Sequence, residues 1–398
     1  MAATNMKETA CEEIHRFAPD LNKISQAIWK NPEQYYEEVS AHHVLTDFLE
    51  KHGFEVERNY KLDTAFRAVF GKDGSGPHVA ILCEYDALPE IGHACGHNLI
   101  AEVGVAAGLG VKAALQASGT GGKLTVLGTP AEEEGGGKID LINADVFKDV
   151  DAAMMAHPTP YVTAFPVYLS DVGCVIKFHG RASHAAGFPW EGINALDAAV
   201  LCYQNISCLR QQMKPDWRVH GIINNGGVKQ NIIPELTELT FSMRAPTDAE
   251  LNVLKEKVSK CIEAAASATG CTVEYEFDRK KYSNLVTNKT LANAFEANAR
   301  SIGVAFTPQE QLKGMICGST DMGNVSYVLP SIHPIFFVGV GGCPNHTREF
   351  TAAAGSPEAQ PYTLDVGKAL AMTAVDIYTS PNTLAEMKED FRRDMSSA

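Results

Sequence analysis

Apolar residues along the chain fall into two rhythms. In "EEVSAHHVLTDFLEKHG", residues 37–53, they recur at steps of three and four until a glycine closes the run, which predicts an amphipathic helix; "LNKISQAIWKN" before it predicts another. Short apolar runs then alternate with longer helical ones. "HVAILCEYD", "KLTVLGTP" and "AAMMAHP" read as buried strands, and "LIAEVGVAAGLGVKAALQ" and "KIDLINADVF" as the helices between them. This βαβα order predicts a mostly parallel sheet with helices on both faces.

Near Val172 the order changes. "CVIKFHGRA" predicts a strand, "GINALDAAVLCYQNISCLRQQM" a helix, "RVHGIINNG" and "ELTELTFSMRA" two strands, "AELNVLKEKVSKCIEAAASATG" a helix and "CTVEYEFDR" a strand. β-α-β-β-α-β is the ferredoxin-like module. After Lys281 the first rhythm returns, with a helix through "TLANAFEANARSIG", a strand at "IHPIFFVGVGG" and a helix through "VGKALAMTAVDIYTS". The expected fold is α/β: a discontinuous domain of 1–171 and 281–398 carrying an inserted ferredoxin-like lid of 172–280.

Composition narrows the class. The 398 residues, 45% hydrophobic, supply core for two or three domains. A formal charge of -14, from 34 Lys+Arg against 48 Asp+Glu, repels phosphate and argues against nucleic-acid or anionic-membrane partners. "MAATNMKETACEEIHRF" has no apolar leader, and no window approaches about 18 consecutive apolar residues, so a cytoplasmic protein is expected. The 10 cysteines are scattered without C-x-x-C pairs, which fits buried thiols in a reducing compartment.

Open parallel sheets bind ligands beyond the carboxyl ends of their strands. Asp86 closes "HVAILCEYD", Glu132, Glu133 and Glu134 follow "KLTVLGTP", His157 ends "AAMMAHP", and His346 lies beyond "IFFVGVGG". His93, Cys95 and His97 alternate in "IGHACGHN" shortly after Asp86. Three chemistries are open to Cys95. A thiol nucleophile with His97 as its base would gain from a helix starting near Asn98, yet it leaves the glutamates, His157 and His346 without a task. A structural zinc knot needs four closed ligands, usually from cysteine-rich pairs, and only one cysteine fits. A two-metal catalytic site uses the whole set: Cys95, His97, Glu133, His157 and His346 as ligands, Glu132 as general base, and Asp86 holding a ligand imidazole. Cys, His and carboxylate donors suit Zn²⁺, with Mn²⁺ or Co²⁺ as alternatives. "PAEEEGGGK" lacks the G-x-x-x-x-G-K-[ST] pattern and carries three glutamates, so it is not a phosphate loop. The His42-His43 pair reads as surface or packing residues, and His93 as loop support.

Taken together, "GHACGHN", "GTPAEEEGGGK", "MMAHP", "GRASHAA", "NIIPE" with "MRAPT", "GSTDMGN" and "NHTREF" resemble the M20 family of metallopeptidases and aminoacylases, from about Asn22 to Ser380. The cysteine in the first block is similar to the M20D branch. This resemblance implies hydrolysis of the amide bond of a small dipeptide or N-acyl amino acid. The substrates implied first are β-alanyl-lysine-type dipeptides with basic residues; an aminoacylase or p-aminobenzoyl-glutamate hydrolase is the alternative. It implies that Cys95 bridges two divalent ions, that His97, Glu133, His157 and His346 complete the ligands, and that Glu132 is the base. His184 resembles a histidine that reaches the partner subunit's site and stabilises the oxyanion, so a homodimer is implied. Asn231 and Arg244 resemble lid residues that hold the substrate carboxylate or the oxyanion; His220 is a further lid candidate, and His179 is expected to be structural. The chain departs from the branch at Asn98, where the plant amidohydrolases read "CGHD", and at Glu134, where relatives have glycine. The implied reaction has Glu132 take a proton from the attacking water and return it to the leaving amine, under a lid hinged near Val172 and Lys281.

Overall fold

The structure, a computed structural model, describes residues 2–74 and 76–396. The chain forms two compact units: one from the chain up to Val167 and again from Leu285, the other Tyr168–Asn284. The second unit is longer than the expected 172–280 by four residues at each end (172 − 168 and 284 − 280). Its flanks are tied into it. Asn284 donates its N–H to Ser170 Oγ at 2.9 Å, the Ser170 hydroxyl reaches Asp248, and Asp171 bridges to Tyr282.

Along the chain the larger unit opens with α1 (Ala3–Lys30), α2 (Val39–Lys51), β1 (Glu55–Arg58), β2 (Phe66–Gly71), β3 (His78–Cys83), α3 (His97–Ser118), β4 (Lys123–Gly128), α4 (Gly137–Asn143), β5 (Ala152–Met154) and β6 (His157–Thr159). The inserted unit holds β7 (Ser170–His179), α5 (Ala195–Cys208), β8 (Arg218–Asn225), β9 (Leu236–Ala245), α6 (Asp248–Thr269) and β10 (Thr272–Phe277). The larger unit resumes with α7 (Lys289–Ser301), α8 (Gln309–Leu312), α9 (Met322–Ser326), β11 (Ser331–Ile332), β12 (Ile335–Phe337), α10 (Arg348–Ala354), α11 (Gln360–Thr379) and α12 (Pro381–Met395).

Six strands of the larger unit lie in the order β1-β2-β4-β3-β5-β11, with β4, β3, β5 and β11 mutually parallel and β1 and β2 antiparallel at one edge. Strand alternation sorts β3 onto two cores. Val79, Ile81 and Cys83 face the cluster built with α1, α3 and α11, while Ala80 and Leu82 face Leu141 of α4 and Met322 and Val325 of α9. Helices thus cover both faces, as the βαβα rhythm predicts.

Three features depart from the pattern reading. α1 begins at Ala3 rather than near Asn22 and runs through Pro19. Its buried stripe of Met6, Ala10, Ile14, Leu21, Ile24 and Ile28 continues on both sides of the proline and outweighs one missing hydrogen bond. "AAMMAHP" and "IHPIFFVGVGG" each break into two strands, and β6 pairs with β12 in a separate sheet. Pro334, which has no N–H for the ladder, lies between β11 and β12, whereas Pro158 lies inside β6 opposite Phe336. α3 is long and apolar enough by composition to cross a bilayer, although Glu102 and Lys112 interrupt its apolar run. Its apolarity matches its place, since residues around its whole circumference are buried within the unit.

The inserted unit has the expected βαββαβ order, with an antiparallel sheet β10-β7-β9-β8. Cys174, Ile176 and Phe178 of β7 and Phe241 and Met243 of β9 pack with Ala198, Cys202 and Ile206 of α5 and Leu254, Val258 and Ile262 of α6.

One buried charge in the larger unit sets a pH dependence. Glu102 of α3 accepts one hydrogen bond from Gln360 Nε2 at 3.0 Å, and its other carboxylate oxygen finds no partner among the described residues. Burial pushes its pKa up to about 7. A raised carboxyl pKa means stability is highest below the unfolded value near 4.5 and falls as pH rises through 7. Glu102→Gln is therefore expected to stabilise the fold at pH 8 by up to about 3 kcal/mol and to have little effect at pH 4.5, read from melting temperatures at both pH values.

Candidate metal centre

The carboxyl ends of β3 and β4 turn into the loops that carry most of the polar residues singled out above. Beyond β3 come Glu84 and Asp86, both buried, and then the loop to Cys95. Gly96 caps α3 with φ +79, and a Cβ there would lie 2.6 Å from Pro158, so the turn that sets Cys95 and His97 side by side needs glycine. Beyond β4 come Glu132 and Glu133. His157 opens β6 rather than closing a strand, and His346 stands at φ +64 with its N–H bonded to the Ala94 carbonyl at 2.8 Å.

These loops converge. Cys95 Sγ lies 3.3 Å from His157 Nε2, and His97 Nε2 lies 3.8 Å from Glu133 Oε1 and 3.9 Å from Glu132 Oε2. His346 Nε2 lies 3.4 Å from Glu133 Oε1. Two sets of donor atoms, Cys95–His97–His157 and Cys95–Glu133–His346, each fall within 4.8 Å, and Cys95 belongs to both. A third set, Glu84–His97–Glu132, meets the same limit.

Second contacts fix the first. Asp86 Oδ1 is 2.9 Å from His97 Nδ1, and Asp86 Oδ2 accepts the Glu133 N–H at 2.9 Å, so one carboxylate orients an imidazole and a glutamate together. With Nδ1 turned to Asp86, His97 Nε2 is directed into the cluster, where it and Glu133 Oε1 find no hydrogen-bond partner among the described residues. Buried nitrogen and oxygen atoms left without partners beside a thiol and further carboxylates form a donor set that fits Zn²⁺ or a similar ion.

The charges perturb one another strongly. Burial, and then the charges of Glu84 and Glu133, push the Glu132 carboxyl well above its ordinary range. Burial would raise Glu133 too, but the His346 imidazole, 3.4 Å from its Oε1, and His97 hold it low. Burial, with His97 nearby, lowers His157 to about 3, which keeps its imidazole neutral and able to donate a lone pair.

Glu84, Lys138 and Asp321 were not singled out from the sequence. The Lys138 ammonium, fully buried, lies 2.5 Å from Glu84 and 2.7 Å from Asp321, and its backbone N–H donates to the other Asp321 oxygen at 2.9 Å. A signal was present: Glu84 follows an uninterrupted apolar strand, where a charge requires a buried partner. His93 does support the loop, with its Nε2 3.1 Å from the Ile28 carbonyl. His42 is a buried packing residue whose Nε2 accepts the Asn59 N–H.

The remaining candidates lie in the inserted unit, at two places. His184 Nδ1 accepts N–H groups from Gly187 at 3.0 Å and Ala186 at 3.2 Å, so its proton sits on Nε2, an outward donor on an exposed ring. Asn231 is beside it: Ala185 donates to the Asn231 carbonyl at 3.0 Å, and His184 bridges to Ile232. Arg244 stands far off on β9, paired with Asp171 at 3.0 Å. His220 is exposed on β8, and His179 Nε2 lies 3.7 Å from Glu274.

Comparison with known proteins places the chain in a family. Residues 80–361 match the profile of peptidase family M20/M25/M40. The Xaa-Arg dipeptidase of Mus musculus is 51% identical over 97% of this chain and 92% of its own length. A p-aminobenzoyl-glutamate hydrolase chain of Escherichia coli K12 is 30% identical over 96% of this chain and 95% of its own. The fold matches a crystal structure of a Bacillus subtilis dinuclear metal-binding peptidase of the M20 family, with TM-score 0.66 at 19% identity over 91% of this chain and 99% of that one.

Because Cys95 is common to both donor sets, Cys95→Ala is expected to lower bound metal at both positions, whereas His157→Ala and His346→Ala each lower it at one. Metal analysis of the dialysed proteins checks this; a Cys95→Ala protein that keeps the wild-type metal content would return the thiol to another role.

Proposed function

As a member of peptidase family M20/M25/M40 this chain is a hydrolase acting on peptide bonds, and we propose that it cleaves dipeptides whose C-terminal residue is arginine, lysine or ornithine, β-alanyl-lysine among them. The observation that carries the reading is the pair of donor sets sharing Cys95, with Glu132 beside them. The preference for a basic residue is supported by the likeness to the mouse Xaa-Arg dipeptidase and by the chain's charge of -14.

Cys95, His97, Glu133, His157 and His346 would hold two divalent ions, Zn²⁺ in the first instance and Mn²⁺ or Co²⁺ as alternatives. When bound, these supply Lewis acidity at neutral pH. Glu132 takes the proton of the attacking water and delivers it to the leaving amine nitrogen. Asp86 keeps the His97 ring in one tautomer and one orientation throughout. His184 Nε2–H donates to the oxyanion, and Arg244 with Asn231 holds the substrate carboxylate and aligns the bond.

That division of labour implies a homodimer. His179 pairs with Leu236 and Asp171 with Arg244, so Arg244 stands near one end of the ladder and His184 follows the other. Eight residue steps at about 3.3 Å make roughly 26 Å. On this reading Arg244 and the neighbouring His184 and Asn231 reach one dipeptide from different copies, and a second copy would supply His184 with Asn231. Apolar exposure supports the same view: β8 is the outermost strand of its sheet and exposes 65% of Ile222 and 40% of Ile223, with Val228 88% exposed just past it. The ten cysteines, all unpaired, agree with a cytoplasmic setting.

A panel of β-alanyl-lysine, alanyl-arginine, p-aminobenzoyl-glutamate and N-acetyl amino acids on metal-reconstituted protein tests the substrate. Fastest turnover of p-aminobenzoyl-glutamate would overturn the dipeptide reading. Glu132→Gln should retain metal while kcat falls by about 10²–10⁴-fold, the range of a lost general base. Ile222→Lys should sediment as a monomer with its metal intact and with turnover lost; full activity in that monomer would remove His184 from action in trans.

A further inference from the structure

The metal-centre side chains stand on loops, and a loop keeps its course only if something holds it. Residues 33–38, the connector between α1 and α2, do this at three points. The Glu33 carbonyl accepts the N–H of Ala87, next to Asp86, at 2.8 Å. The Tyr36 hydroxyl lies 2.6 Å from Asp140 Oδ2 and 3.0 Å from the Gly135 carbonyl, and a Cβ on Gly135 would come within 2.5 Å of the Tyr36 ring. Glu38, fully buried, accepts the N–H of Ala131 at 2.9 Å and of Tyr36 at 3.0 Å on Oε1, and the Thr64 hydroxyl at 2.7 Å on Oε2.

Ala131 is the unusual partner. It has φ +61, a left-handed conformation that side-chain-bearing residues rarely adopt, and it immediately precedes Glu132 and Glu133. The course of this corner sets where both glutamates point. We propose that Glu38 is a positioning residue, whose buried carboxylate clamps Ala131 in the left-handed corner and so aims Glu132 at the substrate water and Glu133 at the metal. The clamp has a firm base. The Glu33 carboxylate accepts the N–H groups of Ser40 at 2.8 Å and Ala41 at 2.9 Å, which ties the connector to the first turn of α2.

The inference rests on the metal-dependent reading, so its test includes a measurement independent of turnover. Zn²⁺ affinity by competition with a chromophoric chelator, kcat, KM and melting temperature are compared for wild type, Glu38→Ala, Glu38→Gln and the double variant Glu38→Ala with Ala131→Gly. Glu38→Ala should weaken Zn²⁺ binding and lower kcat by about 10–100-fold each, as lost support of a metal ligand does, with KM little changed. Glu38→Gln, whose amide oxygen accepts the same two N–H groups, should recover most of both losses. Ala131→Gly should recover part of them in the Glu38→Ala background, because glycine holds a positive φ without strain. A lower melting temperature with unchanged Zn²⁺ affinity and kcat, or no recovery in either second variant, overturns the proposal. If Glu38→Ala does not fold, Tyr36→Phe carries the test: weaker Zn²⁺ binding and lower kcat support the connector's role, and wild-type values for both refute it. Wild-type protein that binds Zn²⁺ yet cleaves no dipeptide would sink the substrate reading and leave the affinity comparison to decide on the clamp.

Discussion

Negative charge packed into one small volume is the constraint on which the larger unit depends. Glu84, Asp86, Glu132 and Asp321 are all buried and Glu133 nearly so, with the Cys95 thiol among them. Charges of one sign at such separations persist only when each is matched. Lys138 matches Glu84 and Asp321 from behind, and His97 with the Glu133 N–H matches Asp86. Cys95 and Glu133 lie with His157 and His346 in the donor sets, and Glu132 lies beside His97. A site that gathers this many carboxylates and imidazoles suits cations, and burial strengthens its hold on them by removing competing water.

Much of this was readable from residue types alone. Strand ends in an α/β sheet deliver their side chains to one edge, so Asp86, Glu132, Glu133 and the Cys95–His97 pair could be placed together from the βαβα rhythm before any distance was known. His346 was harder, because nothing in "NHTREF" says that its backbone would fold back onto Ala94. Lys138 and Asp321 escaped because their meaning is purely mutual: 183 residues apart in sequence, each is an ordinary charge until the other is beside it. The left-handed Ala131 escaped for another reason, since an alanine carries no sign of the backbone conformation its surroundings impose.

Boundaries were less legible than elements. Periodicity found the helix before Lys30 but only from near Asn22, whereas its buried stripe runs back through Pro19 to Met6. The breaks in "AAMMAHP" and "IHPIFFVGVGG" have the opposite origin. There the apolar pattern continues while the chain passes from one sheet to another, and the pattern alone reads through the change. In the inserted unit the βαββαβ order was plain, yet its sheet register separates Arg244 from His184 and Asn231, which linear spacing does not reveal.

The division of the larger unit by an insertion also orders events in time. Strand β5 pairs with β11, Ala153 opposite Ser331, so the central sheet is complete only after the chain between them has been made. Tyr168–Asn284, in contrast, is continuous in sequence and closes its own core. During synthesis from the N-terminus the inserted unit can finish folding while β3, β4 and β5 wait with one edge open. The long closure between β5 and β11 adds a slow, non-local step to the assembly of the larger unit. For that interval β5 is an open edge, and the site beyond β3 and β4 stands on an unfinished sheet.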